Sequence, residues 1–190
     1  GNVTRLREIG TSRGFGVQSV PLLQEAGSPV SSSRIRGLLA DGRLTEANAL
    51  LGRAYSLTGL VVHGDQVGRK LGYPTANLRL HEEKQVPANG IYAVWARVAG
   101  EPTWRMGAMS IGVRPTFGGQ VRTLEVHLLD FDGDLYGKDL EVRFVAWQRS
   151  ELRFESAQAL IDEMGRDVVT ARQNLTAQGL PDPDARGAGA

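Results

Sequence analysis

Polar and apolar residues alternate most regularly in the second half of the chain. Leu124, Val126 and Leu128 fall on one side of an extended segment, with Thr123, Glu125 and His127 on the other. Leu140, Val142 and Phe144 alternate in the same way with Glu141 and Arg143. A period of two marks half-buried β-strands. Strand-like runs at roughly 55–63, 90–98, 104–112, 121–130 and 139–147 are each bounded by Gly, Pro, Asn or Asp clusters. No helical stretch long enough for a crossover separates them. The pattern therefore predicts a mainly β protein whose antiparallel sheet closes into a small barrel, rather than parallel βαβ units.

The flanks carry a different period. Ser31, Ser32 and Ser33 offer hydroxyl N-caps to a short helix with Ile35, Leu38 and Leu39, ending at Gly42. Thr45 is placed to cap a second short helix that runs through Leu50 and Leu51 to Gly52. After Ser156, a candidate N-cap, the residues Ala157, Leu160, Ile161, Met164, Val168, Ala171 and Leu175 form one stripe of a long helix. Gly165 weakens that helix without abolishing it, and the stripe should lie against the barrel. Residues 1 to about 30 mix short apolar pieces with Gly and Pro, like the end of an α/β unit. The Pro-, Asp-, Gly- and Ala-rich stretch 179–190 is predicted to be disordered.

Composition narrows the function classes. Of 190 residues, 41% are hydrophobic, enough for a packed core. A net charge of +1, with both signs mixed along the chain, argues against a nucleic-acid interface and against a membrane-binding face. No apolar run approaches the roughly 18 residues of a membrane span. The absence of cysteine excludes disulfides, thiol catalysis and thiolate metal sites, and is compatible with a cytoplasmic location. Gly1 in place of a starting Met points to a processed or truncated chain.

The segment from Gly68 to Asn77 is the most unusual. Gly64, Gly68 and Gly72 let the backbone approach a ligand, while Arg69 and Lys70 bring positive charge. Pro74 stiffens the backbone on either side of it. In an extended segment Thr75 and Asn77 share a face, and two neutral oxygens suit a hard cation such as Mg²⁺. On composition alone, a Gly-rich turn leading into a Pro-initiated strand is the simpler reading. Arg69 stands where a Walker A loop needs its second Gly. Asp130, Asp132, Asp134 and Glu141 reproduce the acidic spacing of an EF-hand loop, but Leu135 occupies the obligatory Gly position, so a polar hairpin turn is expected. His63, His81 and His127 are scattered, and His127 reads as a polar wall residue beside Glu125.

Gly68-Arg69-x-x-Gly72-x-Pro74-Thr75-Ala76-Asn77 resembles the signature of riboflavin kinases. The resemblance continues in order through Gly90–Val94, Ile111–Phe117, Leu124–Phe131, Leu135–Lys138, Arg149–Phe154 and the C-terminal helix, covering about residues 54–175. It implies a small closed antiparallel Greek-key β-barrel followed by an α-helix. It also implies transfer of the ATP γ-phosphoryl group to the ribityl 5′-hydroxyl of riboflavin, giving FMN and ADP. By resemblance Glu125 is the catalytic base. Thr75 and Asn77 hold Mg²⁺ or another divalent cation bridged to ATP. Gly68, Arg69, Lys70, Gly72 and Pro74 form the segment over the nucleotide. Arg114, Thr116, Phe117, Arg149, Glu151 and Phe154 surround the flavin. Val30-Ser31-Ser32-Ser33-Arg34-Ile35-Arg36 resembles the closing motif of the FMN adenylyltransferase domain that precedes the kinase in bacterial bifunctional enzymes. That domain's His-x-x-His motif is absent from these residues. The expected division is a remnant of the adenylyltransferase domain with a helical linker at 1–53, a kinase domain at 54–178 and a tail at 179–190. A non-catalytic flavin- or nucleotide-binding barrel is the alternative, and the retained Glu125, Thr75 and Asn77 argue against it.

Overall fold

Six strands close into a barrel in the computed structural model of the protein, which describes residues 2–21, 23–25, 28–81, 84–116 and 119–180. The chain divides into two units, Gly1–Ser31 and Ser32–Ala190. In the first, helix α1 (Val3–Arg13) starts where the Asn2 side chain accepts from the Thr4 N–H and stops at Gly14, whose φ is 73°. Strands β1 (Gln24–Glu25) and β2 (Ser28–Pro29) pair antiparallel. The first unit thus holds a helix longer than its scattered apolar residues suggest. The predicted tail from Pro181 onward lies outside the described residues.

The second unit opens with two short helices, α2 (Ser32–Ala40) and α3 (Leu44–Leu51). Leu38, Leu39, Leu44, Ala47 and Leu50 are buried. Gly42 and Gly52 end the helices in the left-handed region, as predicted. The cap of α3 is different. Arg43, not Thr45, occupies the N-cap position, and no side chain caps the helix there. The Arg43 guanidinium instead binds Glu46 at 2.5 and 2.6 Å, an ion pair that competes well in a first turn where a carboxylate is welcome. Asn48 fastens α3 to the barrel, donating to the Phe144 carbonyl and accepting from the Tyr55 N–H.

The barrel strands are β3 (Tyr55–Val62), β4 (Ala76–Leu80), β5 (Gly90–Val98), β6 (Arg105–Thr116), β7 (Gly119–Leu128) and β8 (Asp139–Arg149). All pairings are antiparallel, in the closed order β3-β4-β7-β6-β5-β8. Strands β5, β6 and β7 form a meander and β8 returns beside β5, which is Greek-key order. Five strands follow the predicted runs; β4, five residues long, is the sixth that closes the ring. A single helical turn, α4 (Val67–Lys70), interrupts the Gly-rich segment where no helix was predicted. Leu57, Val94, Met109, Ile111, Val126, Leu140, Val142 and Phe144 fill the core, and the two alternating strands bury the expected faces.

Helix α5 (Ala157–Gln178) begins where Ser156 accepts from the Ala159 N–H, the predicted cap. Ala171 and Leu175 are buried against Ala93 and Val145, with Trp95, Met106 and Ala146 beside them. The Trp95 indole donates to the Gly179 carbonyl at 2.9 Å, pinning the end of the helix. The acidic spacing from Asp130 to Glu141 diverges in space. Asp130 pairs with Arg172, whereas Glu141 pairs with Arg97 and Arg143. Between them Asp134 accepts from the Tyr136 N–H, as a polar turn requires.

Candidate functional site

The Gly-rich segment folds back on itself for a steric reason. A Cβ on Gly68 would stand 2.4 Å from the Tyr73 carbonyl oxygen, and one on Gly64 would strike the Asn77 amide at 2.5 Å. Only glycine permits those approaches. The Tyr73 N–H donates to the Gly68 carbonyl at 2.8 Å, so the chain turns once through α4 and returns to Pro74 and β4. Gln66, with a φ of 55°, bears the left-handed step into the turn.

Strand β4 is short, but its register decides the chemistry. Asn77 lies opposite Glu125 on β7, and Glu125 lies opposite Ser110 on β6. Thr75 stands two residues before Asn77 on the same face. The Thr75 hydroxyl donates to Glu125 Oε2 at 3.1 Å, and the carboxylate's other oxygen lies 3.9 Å from Arg114. Glu125 is therefore held by Thr75 rather than standing loose on the surface. Arg122 turns away, donating to the Pro87 carbonyl and to Asn89. Arg114 also holds Asp65 at 2.5 Å, which ties the entry to the Gly-rich turn to the end of β6.

Two cavities, each of ≈ 390 Å³, meet at this seam. Arg69, Pro74, Thr75, Asp132, Asp134 and Tyr136 line the first. Gly68, Thr75, Arg114, Glu125, Arg149, Glu151 and Phe154 belong to the second, whose apolar wall includes Met109, Leu160, Met164 and Val168. Thr75 borders both. Lys70 and Gly72 line neither, and Asn77 is drawn to the site through its register with Glu125. Thr116 ends β6 opposite Gly119, and Phe117 lies outside the described residues. The incomplete burial of Leu160, Met164 and Val168 has a simple cause: this half of the α5 stripe faces the cavity rather than packed core.

Arg149 occupies a fixed place in that wall. It binds Asp167 through two nitrogens at 2.5 and 2.7 Å and Glu163 at 3.2 Å, joining β8 to α5. Glu151 accepts from Asn89 at 3.1 Å, which holds it near the cavity rim. Ser110 and Thr123 also line the second cavity, as does His127, the expected wall residue beside Glu125. Register sets Ser110 opposite Glu125, a placement with no sequence signal, whereas Thr123 shares the parity of Glu125 along β7. Two tyrosines, Tyr55 half-buried and Tyr92 fully buried, support the nearby 85–88 segment. Tyr55 donates to the Gln85 carbonyl at 2.6 Å and Tyr92 to that of Ala88 at 2.5 Å. Burial pushes both phenols upward, Tyr92 to about 12.

Thr75 and Glu125 thus sit where a polar cavity meets a more apolar one, with Asn77 opposite Glu125 in the β4–β7 ladder. Such a junction suits a metal–phosphate group on one side and an alcohol carried by a flat apolar ligand on the other. Residues 51–175 match the family described as Flavokinase, riboflavin kinase. The bifunctional riboflavin kinase/FMN adenylyltransferase of Escherichia coli strain K12 is 40% identical over 173 residues, which cover 91% of this chain and 55% of that protein. That of Listeria monocytogenes is 39% identical, with 90% and 54% covered. A crystal structure from Streptococcus pneumoniae, described as a macrolide-efflux protein, superposes with a TM-score of 0.79 at 32% identity, over 90% of this chain and 55% of that one. The chain spans about half the length of the curated relatives it matches.

Proposed function

The chain belongs to the riboflavin kinase family, and from that premise we propose that it transfers the γ-phosphoryl group of ATP to the 5′-hydroxyl of riboflavin. The observation that carries the reading is the Thr75–Glu125 pair at the common wall of the two cavities. On this reading the nucleotide phosphates lie in the first cavity beside Arg69 and Pro74, and the flavin lies in the second between Arg114, Arg149, Glu151 and Phe154. Thr116 and Phe117 are assigned to the flavin side, and Gly68, Lys70 and Gly72 to the segment over the nucleotide.

Phosphoryl transfer asks a protein chiefly for positioning, charge stabilisation and a proton acceptor. Glu125, whose side chain is 28% exposed, is the acceptor in this scheme. It takes the proton of the ribityl hydroxyl as that oxygen bonds to phosphorus and ADP leaves. The Thr75 hydroxyl spends its only proton on Glu125, which orients the carboxylate and leaves the Thr75 lone pairs for a cation. Thr75 and Asn77 would hold Mg²⁺ or another divalent ion, which neutralises phosphate charge when bound. The acidic groups of the first cavity wall, Asp132 and Asp134, are not needed as direct ligands. Among the described residues, no group of three His, Cys, Asp or Glu side chains converges to hold a metal. A cation held mainly by phosphate, water and two neutral side chains fits that environment.

Chromatographic separation of flavins after incubation with riboflavin, ATP and Mg²⁺ tests the proposal. FMN is expected with the wild type. Glu125→Gln should lower turnover by about 10²- to 10⁴-fold, with nucleotide binding nearly intact. Thr75→Ala should instead weaken metal–nucleotide binding. Normal turnover by Glu125→Gln would remove Glu125 from the role of base. We further read residues 1–53 as the end of an FMN adenylyltransferase domain with its linker, and 54–178 as the kinase domain. The bifunctional relatives and the Ser31–Arg36 motif support this division. Riboflavin and ATP as substrates fit a cytoplasmic enzyme. Among the described residues no helix is long and apolar enough to cross a membrane.

A further inference from the structure

The seam between β4 and β7 is brief. Its register pairs Ala76 with Val126 and Asn77 with Glu125. One step further the same register would set Thr75 against His127, but the ladder ends there, beside a proline that has no N–H to give. A side chain takes over. Nδ1 of His127 lies 2.8 Å from the Pro74 carbonyl oxygen. A carbonyl only accepts, so Nδ1 carries the proton and donates it. The Tyr73 ring stands edge-on to the imidazole, 5.5 Å between centroids at 74°. The peptide immediately before Thr75 is therefore held from β7, the strand that presents Glu125 two residues earlier on the same face.

That bond matters because Thr75 is held in place from both sides. Ala76 is fixed by the β-ladder and Pro74 by His127, and between them Thr75 must reach Glu125 while bordering both cavities. A free Pro74 carbonyl would let the residue swing away from β7. We propose that His127 is a positioning residue for phosphoryl transfer. Its Nδ1–H holds the Pro74 carbonyl so that Thr75 meets Glu125 and keeps its oxygen turned toward the metal–nucleotide. The inference rests on the reading of Thr75 as a ligand to the nucleotide-bound cation. The imidazole gives up no proton in this role. It acts only as a donor to backbone.

Three variants separate the donor from the ring. His127→Asn places an amide N–H the same number of bonds from Cα as Nδ1 and removes the ring. His127→Phe keeps a ring and removes the donor, and His127→Ala removes both. Calorimetric titration with Mg·ADP, alongside kcat and KM for each substrate, reads the outcome, with thermal melting to establish that each variant is folded. The Phe and Ala variants should bind Mg·ADP about three- to tenfold more weakly and raise the KM for ATP in step, while Asn stays within about twofold of wild type, the scale of one hydrogen bond. If one donor-less variant does not fold, the other carries the comparison with Asn. A residue that only fills space would give the reverse order, with Phe close to wild type and Asn impaired. That order, or equal losses in all three, overturns the proposal. A wild type that binds Mg·ADP but makes no FMN removes the kinase reading and leaves the titrations to judge His127. A wild type that binds no Mg·ADP overturns both.

Discussion

Single side chains in this barrel owe their roles to what register and burial do to them. Glu125 is readable as a candidate from its place on the polar side of an alternating strand, but its partner is not. Thr75 lies fifty residues away, and only the pairing of Asn77 with Glu125 brings its hydroxyl to 3.1 Å. His127 shows the same limit: parity puts it on the Glu125 face, while its bond to Pro74 depends on where the β4 ladder stops. Tyr92 carries a prediction at this scale. It is fully buried, and its folded value of about 12 lies above the ordinary phenol value of roughly 10. The fold therefore favours the neutral phenol. The stabilisation is fully present below pH ~10 and is lost as pH rises toward 12, on the order of 2 kcal/mol. Urea denaturation across that range should show the loss in wild type and a shallower slope in Tyr92→Phe. Equal slopes would mean that Tyr92 is not the group responsible.

Elements were legible in proportion to their periodicity. Strands β7 and β8 and helix α5 repeat their apolar residues often enough to be read directly, and Ser156 marks the start of α5 by hydroxyl chemistry. Strand β4 has five residues, and a pattern so short is masked by the glycines and proline before it. The helical turn α4 is closed by local backbone bonds rather than favoured by propensity, since Gly68 lies within it. Placement of α5 over the barrel also explains why Arg149 could be named for the site but not understood. Its partners Asp167 and Glu163 come from a helix whose rotation is set by packing. Asp167 is 8% exposed, so its charge has little water to fall back on. Asp167→Ala should cost about 2 kcal/mol by removing the charge-assisted bonds to two Arg149 nitrogens and leaving Glu163 as the arginine's acidic neighbour on α5. Denaturant melts give the stability, and the riboflavin KM should rise with it because the wall loosens. A stability change within about 0.5 kcal/mol, the ordinary range for surface substitutions, would show the pair to be dispensable.

At the scale of the whole molecule, the barrel with its C-terminal helix accounts for the matched family span, residues 51–175. The curated relatives are described as bifunctional, and the aligned span that covers about nine-tenths of this chain covers just over half of them. Within the barrel, the two cavities share Thr75 as a common wall. A wall that belongs to two rooms cannot be rebuilt for one occupant without being moved for the other. Whatever free energy the nucleotide gains from an already seated flavin, the flavin must gain in equal measure from a seated nucleotide. Order of arrival then changes the route to the filled site but not its depth.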